Sequence, residues 1–207
     1  MFSEQVQEVV MNGIRAEARQ ATRRAVLEAA GKLFDERGFL ETTVRDIARK
    51  AGVSVGTVMA AGDKETLLVE FFDGLIAERQ QHADALAPGV GTRCDEEAVA
   101  VVEPFVSLFD ERRDLAQAYA SILVGGRHSS VVFTDLARRL IAVFEHLVEA
   151  CGCPRSVDAR GCADAFHAAY IGSLFMWSAT PERSVSEFTA QLRDVFAAIC
   201  PHEGGHP

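Results

Sequence analysis

From Thr43 to Ala61 the chain sets out two very short helices with their starts and stops marked, and this constrains its fold more than any other feature. Thr43 offers a helix N-cap, and Asp46 three residues later completes a capping-box pair. Val44, Ile47, Ala48 and Ala51 recur at helical spacing and make one apolar face. Gly52 ends that helix after about two turns, because glycine takes the left-handed conformation a sharp turn needs. Ser54 caps the next helix, predicted over 55–61 with Val55 and Val58 turned inward. Two helices joined by Ala51-Gly52-Val53 have helix-turn-helix spacing. In that motif the second helix enters the DNA major groove, and Ser54, Gly56, Thr57 and Met59 would lie on its outer side. Small residues admit the backbone, hydroxyls reach phosphates or base edges, and apolar groups touch a thymine methyl. An ordinary three-helix bundle with small surface residues is the alternative the pattern leaves open.

Helical spacing continues through the rest of the chain, while sustained period-two alternation and hairpin turn signals are absent. Val26, Ala30, Leu33 and Phe34 line the helix before the motif, and Gly38 stops it. Asp63 caps a fourth helix whose stripe is Leu68, Phe71, Phe72, Leu75 and Ile76, running to about Leu86 before the break Pro88-Gly89-Val90-Gly91. Further helices are predicted near 95–110, 112–125, 129–151, 156–178 and 184–199. The expected fold is all-α: an N-terminal three-helix helix-turn-helix domain followed by a larger helical bundle. Hydrophobic residues, 48% of the 207, suffice for its core. No apolar run approaches the roughly 18 to 20 residues of a membrane span. The opening MFSEQVQEVVMNG is polar and acidic rather than a secretory signal, so a cytoplasmic location and no membrane partner are expected.

Charge says where a nucleic acid would bind. The net charge of −9 argues against general polyanion binding. Residues 13–62, however, hold nine Lys/Arg against six Asp/Glu, while 63–207 hold twelve against twenty-two. Any DNA contact therefore belongs to the first third. Nucleophile-elbow, phosphate-loop and HExxH motifs are all missing, so an enzyme is not expected, nor a cofactor. Five cysteines, Cys94, Cys151, Cys153, Cys162 and Cys200, are odd in number and irregular in spacing, against a disulfide framework. They read as buried or incidental thiols, with no metal ligand set assigned; metal or redox sensing through the Cys151-x-Cys153 pair, with Cys162 nine residues on, is the alternative.

The stretch RRAVLEAAGKLFDERGFLETTVRDIARKAGVSVGTV, residues 23–58, resembles the DNA-binding domain of the tetracycline-repressor (TetR) family of transcriptional regulators. The resemblance rests on Ala29-Ala30 with Leu33-Phe34, on Gly38-Phe39 with Thr42-Thr43, and on Ile47-Ala48 with Ala51 to Ser54 and Gly56-Thr57. It continues through Lys64-Glu65 and Leu67-Leu68. It implies a ligand-responsive repressor that releases a near-palindromic operator when a small molecule binds a C-terminal helical domain. It also implies roles: Thr43 and Arg45 at the DNA backbone or base edges, Ser54, Gly56 and Thr57 on the recognition helix, and Lys64 on a phosphate. The chain departs from the family after Val58. Met59 stands where a tyrosine is usual, and five residues rather than six separate Val58 from Lys64. A helical small-molecule-binding protein that no longer reads DNA is therefore the competing expectation. Upstream, Arg15, Arg19, Arg23 and Arg24 suggest a basic stripe for phosphate or minor groove, or a solvated helix paired with Glu17 and Glu28.

The domain division expected is 1–22 as a helical arm, 23–68 as the DNA-binding domain, 69–200 for ligand binding and dimerisation, and 201–207 as a mobile tail. The resemblance implies a homodimer built through the last two long helices. Their stripes suit this: Phe166, His167, Tyr170, Ile171 and Leu174 beside Cys162, Ala165, Ala169, Gly172, Ser173 and Met176, then Val185, Phe188, Leu192, Val195, Phe196 and Ile199. Candidate effector-pocket residues are Phe105, Phe109, Tyr119, Leu123, Arg127, His128, Phe133, Phe166, His167, Tyr170 and Trp177. Apolar walls with a few polar groups suit an apolar or aromatic effector.

Overall fold

The computed structural model describes residues 2–83, 93–151, 158–178, 180 and 183–201, with the backbone alone for 2–12. Nine helices and no strand occur among them. They are α1 (Phe2–Glu41), α2 (Val44–Ala51), α3 (Val55–Ala61), α4 (Lys64–Ala83), α5 (Cys94–Glu111), α6 (Arg113–Val124), α7 (Val131–Ala150), α8 (Ala159–Ser178) and α9 (Val185–Ile199). No helix among them is long and apolar enough to cross a membrane. The expected Pro88–Gly91 break, Cys153, Pro154 and Pro181, and the tail from His202 onward lie outside the described residues.

The predicted capping chemistry is in place. The Thr43 hydroxyl accepts from the Asp46 backbone N–H at 3.2 Å, and the Asp46 carboxylate accepts from the Thr43 N–H at 3.2 Å. Gly52 closes α2 in the left-handed region at φ 68°. Ser54 caps α3 by accepting from the Thr57 N–H at 3.1 Å, and Asp63 starts α4 by accepting from the Thr66 N–H at 2.7 Å. These bonds satisfy N–H groups that a helix start otherwise leaves open. Gly38 interrupts α1 as expected: at φ 80° and ψ 167° it is non-helical, and the residues up to Glu41 form a separate short turn beyond the kink. The buried Thr42 hydroxyl donates to the carbonyls of Gly38 at 2.8 Å and Leu33 at 3.2 Å, tying that kink down.

The chain forms two compact units. The first comprises Met1–Phe72 and Asp114–Ser129. Val26, Ala30, Leu33, Phe34, Ile47, Val58, Leu67 and Leu68 are its buried centre. Phe34 packs on Phe39 and Phe71, and Tyr119 of α6 stacks on Phe72 with ring centroids 4.7 Å apart. Val55, expected inside, is 44% exposed. The seven-residue α3 buries Val58 and leaves its first-turn valine to solvent.

The second unit comprises Asp73–Arg113 and Ser130–Pro207, and in it α7 pairs with α8, and α9 with α5 and α8. Phe166 stacks on Phe196 at 4.5 Å, and Phe144 meets both edge-on. Trp177 lies against Phe188 at 4.9 Å, donates its indole N–H to the Arg183 carbonyl at 2.9 Å, and carries the Arg113 guanidinium 4.3 Å over its ring. Such aromatic pairs contribute about 0.5–1.5 kcal/mol beyond the area they bury. Cys200 is disulfide-bonded, whereas the spacing had argued against a disulfide framework. Cys94, Cys151 and Cys162 carry reduced thiols. Burial, then the hydrogen bond and charge of Cys151, push the Cys94 thiol up to about 12.

Candidate nucleic-acid interface and effector cavity

In the first unit α2 and α3 present the residues a DNA reader needs, on two short helices capped by Thr43 and Ser54. Arg45, Ser54 and Gly56 are exposed, Thr57 is half-buried and Met59 is 51% exposed. The Ser54 and Thr57 hydroxyls lie 2.9 Å apart, so the pair can pass one donor outward while the other is used internally. Thr43 spends its hydroxyl on Asp46, 2.5 Å away. That bond is the leading reason the Asp46 carboxyl sits below the usual carboxylate range.

Two expected DNA contacts have structural duties. The Lys64 ammonium donates to the carbonyls of Phe39 and Thr42, each at 3.0 Å, and lies 4.2 Å from the Phe39 ring centroid. It thus clamps the α1–α2 turn to the start of α4, with one of its three donors left for a phosphate. Arg23 donates to the Ala61 carbonyl at 2.5 Å and pairs with Glu70, rather than joining an open stripe with Arg15, Arg19 and Arg24. Glu28 pairs with Lys32 instead.

The shortened turn after α3 is closed by Gly62, at φ 157° and ψ 162°. A Cβ there would lie 2.9 Å from the Thr66 methyl, and L-residues rarely adopt that φ. One residue fewer is thus accommodated by a backbone open to glycine. A further feature lay outside the pattern of single helices: Ala18, Arg19, Thr22 and Arg23 of α1 form a groove with Thr57, Ala60 and Ala61 of α3. Its signal is the four-residue spacing of Arg15, Arg19 and Arg23.

The candidate pocket residues divide between the units. In the second, Phe105, Phe109, Phe133, His167 and Tyr170 converge with Ile76, Leu136, Leu140 and Leu174 on one apolar cavity. It measures about 20 Å³, space for about one water. His167 and Tyr170 are its polar groups. Burial lowers the His167 pKa against an opposing pull from Asp164, and burial raises that of the Tyr170 phenol, so both stay neutral near pH 7. Phe166 and Trp177 belong instead to the aromatic packing described above. Tyr119 and Leu123 are in the first unit with Arg127 and His128, which pair with Glu65 at 3.1 and 3.0 Å. Ile76, Leu136 and Leu140 were missed because an aliphatic residue on a helix face carries no mark of lining a cavity.

Comparison with known proteins agrees with this geometry. Residues 26–71 match the family model for bacterial regulatory proteins of the tetR family. The HTH-type transcriptional regulator HbdR of Aromatoleum sp. (strain CIB) is 27% identical over 195 residues, covering 91% of this chain and 83% of that protein. Among solved structures, Thermus thermophilus FadR, a TetR family transcriptional repressor in complex with lauroyl-CoA, superposes with a TM-score of 0.61 at 20% identity, over 88% of this chain and all of that one. The SmeT–triclosan complex, from the Stenotrophomonas maltophilia efflux-pump repressor, gives 0.54 at 21% identity over 89% and 93%.

Proposed function

Because the chain is a TetR-family transcriptional regulator, we propose that it works as a homodimeric repressor that releases a near-palindromic operator when a small apolar or aromatic molecule enters its second unit. The observation that carries the reading is α3, whose backbone is fixed by the Ser54 cap and the Gly62 turn while Ser54, Gly56 and Met59 stay outward. Thr43, Arg45, Ser54, Gly56, Thr57, Met59 and the remaining Lys64 donor are the proposed DNA contacts, with Arg19 reaching phosphate beside them. The domain roles are those of residues 1–22 as arm, 23–68 as reader and 69–200 as sensor and dimer surface, in a protein acting in the cytoplasm without enzymatic activity.

Dimerisation is supported by α8, which leaves the large apolar side chains of Phe175 and Met176 at 40% and 72% exposure. Two readers on a twofold axis must then meet half-sites about 34 Å apart or a multiple of it. The effector class is supported by the neutral, apolar cavity and by the lauroyl-CoA and triclosan bound to structural relatives. The cavity is far below the roughly 300 Å³ of a usual ligand site, so the effector must favour a conformation in which α5, α7 and α8 separate. The link to the reader is covalent: α4 supplies Leu67, Leu68 and Phe72 to the first unit and Ile76 to the second cavity.

Gel-shift titration of the full-length protein against the region upstream of its own gene tests this. Sequence-specific retention, lost on adding lauroyl-CoA or triclosan as probes, is the expected result. Retention without sequence preference, or none at low salt, would favour the competing reading of a helical binding protein that does not read DNA.

A further inference from the structure

Three sulfurs from distant parts of the second unit meet at one place. Cys94 is the first residue of α5, Cys151 follows the last residue of α7, and Cys200 follows the last residue of α9. Their Sγ atoms all lie within 4.8 Å of one another. Cys94 and Cys200 are buried, at 1% and 0% exposure, and Cys151 is half-buried. Local sequence accounts for none of this, since the three positions share no spacing motif. Cys162, also buried, stands outside the group.

We propose that Cys94, Cys151 and Cys200 form a thiolate site for a thiophilic divalent cation of the zinc class once the Cys200 disulfide is reduced. Zinc–thiolate bonds of about 2.3 Å place tetrahedral sulfurs roughly 3.8 Å apart, so the cluster closes on a cation by side-chain adjustment of at most about 1 Å. Zinc has no geometric preference of its own and accepts the shape offered. Cys151 and Cys200 follow helix C-termini, whose carbonyl ends favour a cation. The neighbouring carboxylate is already balanced: the buried Asp95 takes a bidentate pair from Arg93 at 3.1 and 3.2 Å. Three sulfurs leave a fourth tetrahedral position for water or a further donor.

The disulfide is the other state of the site. A dithiol reductant transfers two electrons to it and leaves as its own disulfide, and Cys200 and its former bridge partner each gain a proton. Binding then releases one proton from each of the three thiols to solvent as three sulfur–metal bonds form, leaving a net charge of −1 on the cluster. The same oxidation that makes the disulfide removes one ligand, so metal affinity follows the redox poise.

The test titrates full-length protein, reduced and freed of metal, with Cd²⁺ and follows the thiolate-to-cadmium charge-transfer absorbance. One equivalent per chain should saturate the band. The band should be lost in Cys94→Ser and Cys200→Ser, kept in Cys162→Ser, and absent from the oxidised wild type. No band in reduced wild type, an undiminished band in the triple Cys94→Ser, Cys151→Ser, Cys200→Ser variant, or an equal band in the oxidised protein would overturn the proposal. Should a serine variant fail to fold, X-ray absorption on Zn²⁺-loaded reduced wild type decides. Three sulfur scatterers near 2.3 Å support the site, and a shell of nitrogen and oxygen alone refutes it.

Discussion

The α2–α3 reader and the α5–α7–α8 cavity are built on opposite principles. In the reader, bonds between residues three or four apart hold the backbone: Thr43 with Asp46, Ser54 with Thr57, Asp63 with Thr66. Those capping side chains are partly used up, while Arg45 and Met59 stay exposed for a partner. In the second unit, rings from α7, α8 and α9 hold one another, as in Phe144, Phe166 and Phe196, and the side chains are the structure. A surface that must meet a fixed double helix is fixed before contact. Under the proposed function, the separate cavity of α5, α7 and α8 opens for a small molecule by the parting of apolar side chains of this kind.

The sharpest way to break this contrast is to delete one ring. Phe166→Ala should cost about 3–5 kcal/mol in urea unfolding, because Phe144 of α7 and Phe196 of α9 lose their partner. A loss under 1 kcal/mol would mean that those rings are not the core. Next comes Gly62→Ala, which forces an L-residue into a strained φ against Thr66 and should cost about 1–3 kcal/mol. It should weaken operator binding further than its stability loss alone explains, as read by gel shift at a temperature where both proteins are folded. Thr43→Ala removes a cap and should cost about 1 kcal/mol, measured by chemical denaturation.

Arg45→Ala turns the comparison around. Stability should change by less than about 0.5 kcal/mol, since the side chain is exposed, while the slope of log K against log salt should flatten by about one unit. In Met59→Tyr operator affinity should instead rise if the ring reaches a phosphate, with the slope little changed because a phenol neutralises no phosphate charge; unchanged affinity would show that position 59 faces elsewhere. The smallest effect is acid sensitivity at the start of α4. The Thr66 N–H and then its hydroxyl, with His128 and Arg127 adding, hold the Asp63 carboxyl below its ordinary range. Its folded pKa is therefore below its unfolded one. Its stabilisation is complete above about pH 3.9 and fades as pH falls through the lower folded value. Asp63→Asn and wild type should converge in melting temperature over that acid range; a constant difference from pH 3 to pH 7 would remove Asp63 from the account.

The same division decides what could be read in advance. Caps, glycine stops and helix limits act over three or four residues, so α2, α3 and the five later helices stand close to where periodicity predicts them. Contacts over tens of residues leave no such trace. Nothing around Lys64 announces that it holds the Phe39 and Thr42 carbonyls, nothing around Arg23 points to Ala61 and Glu70, and Tyr119 gives no hint that its partner is Phe72. The cavity was half legible: its aromatics and His167 draw notice by type, its leucines do not.

Under the proposed function, the size of that cavity also sets a clock. If only a fraction of molecules stands open at a given moment, an effector meets a competent protein only in that fraction, and its apparent affinity falls in proportion. Opening before entry gives an observed rate that levels off as effector concentration rises, far below the diffusion limit. Brief pulses of effector would then leave the operator occupied, and only sustained exposure would clear it.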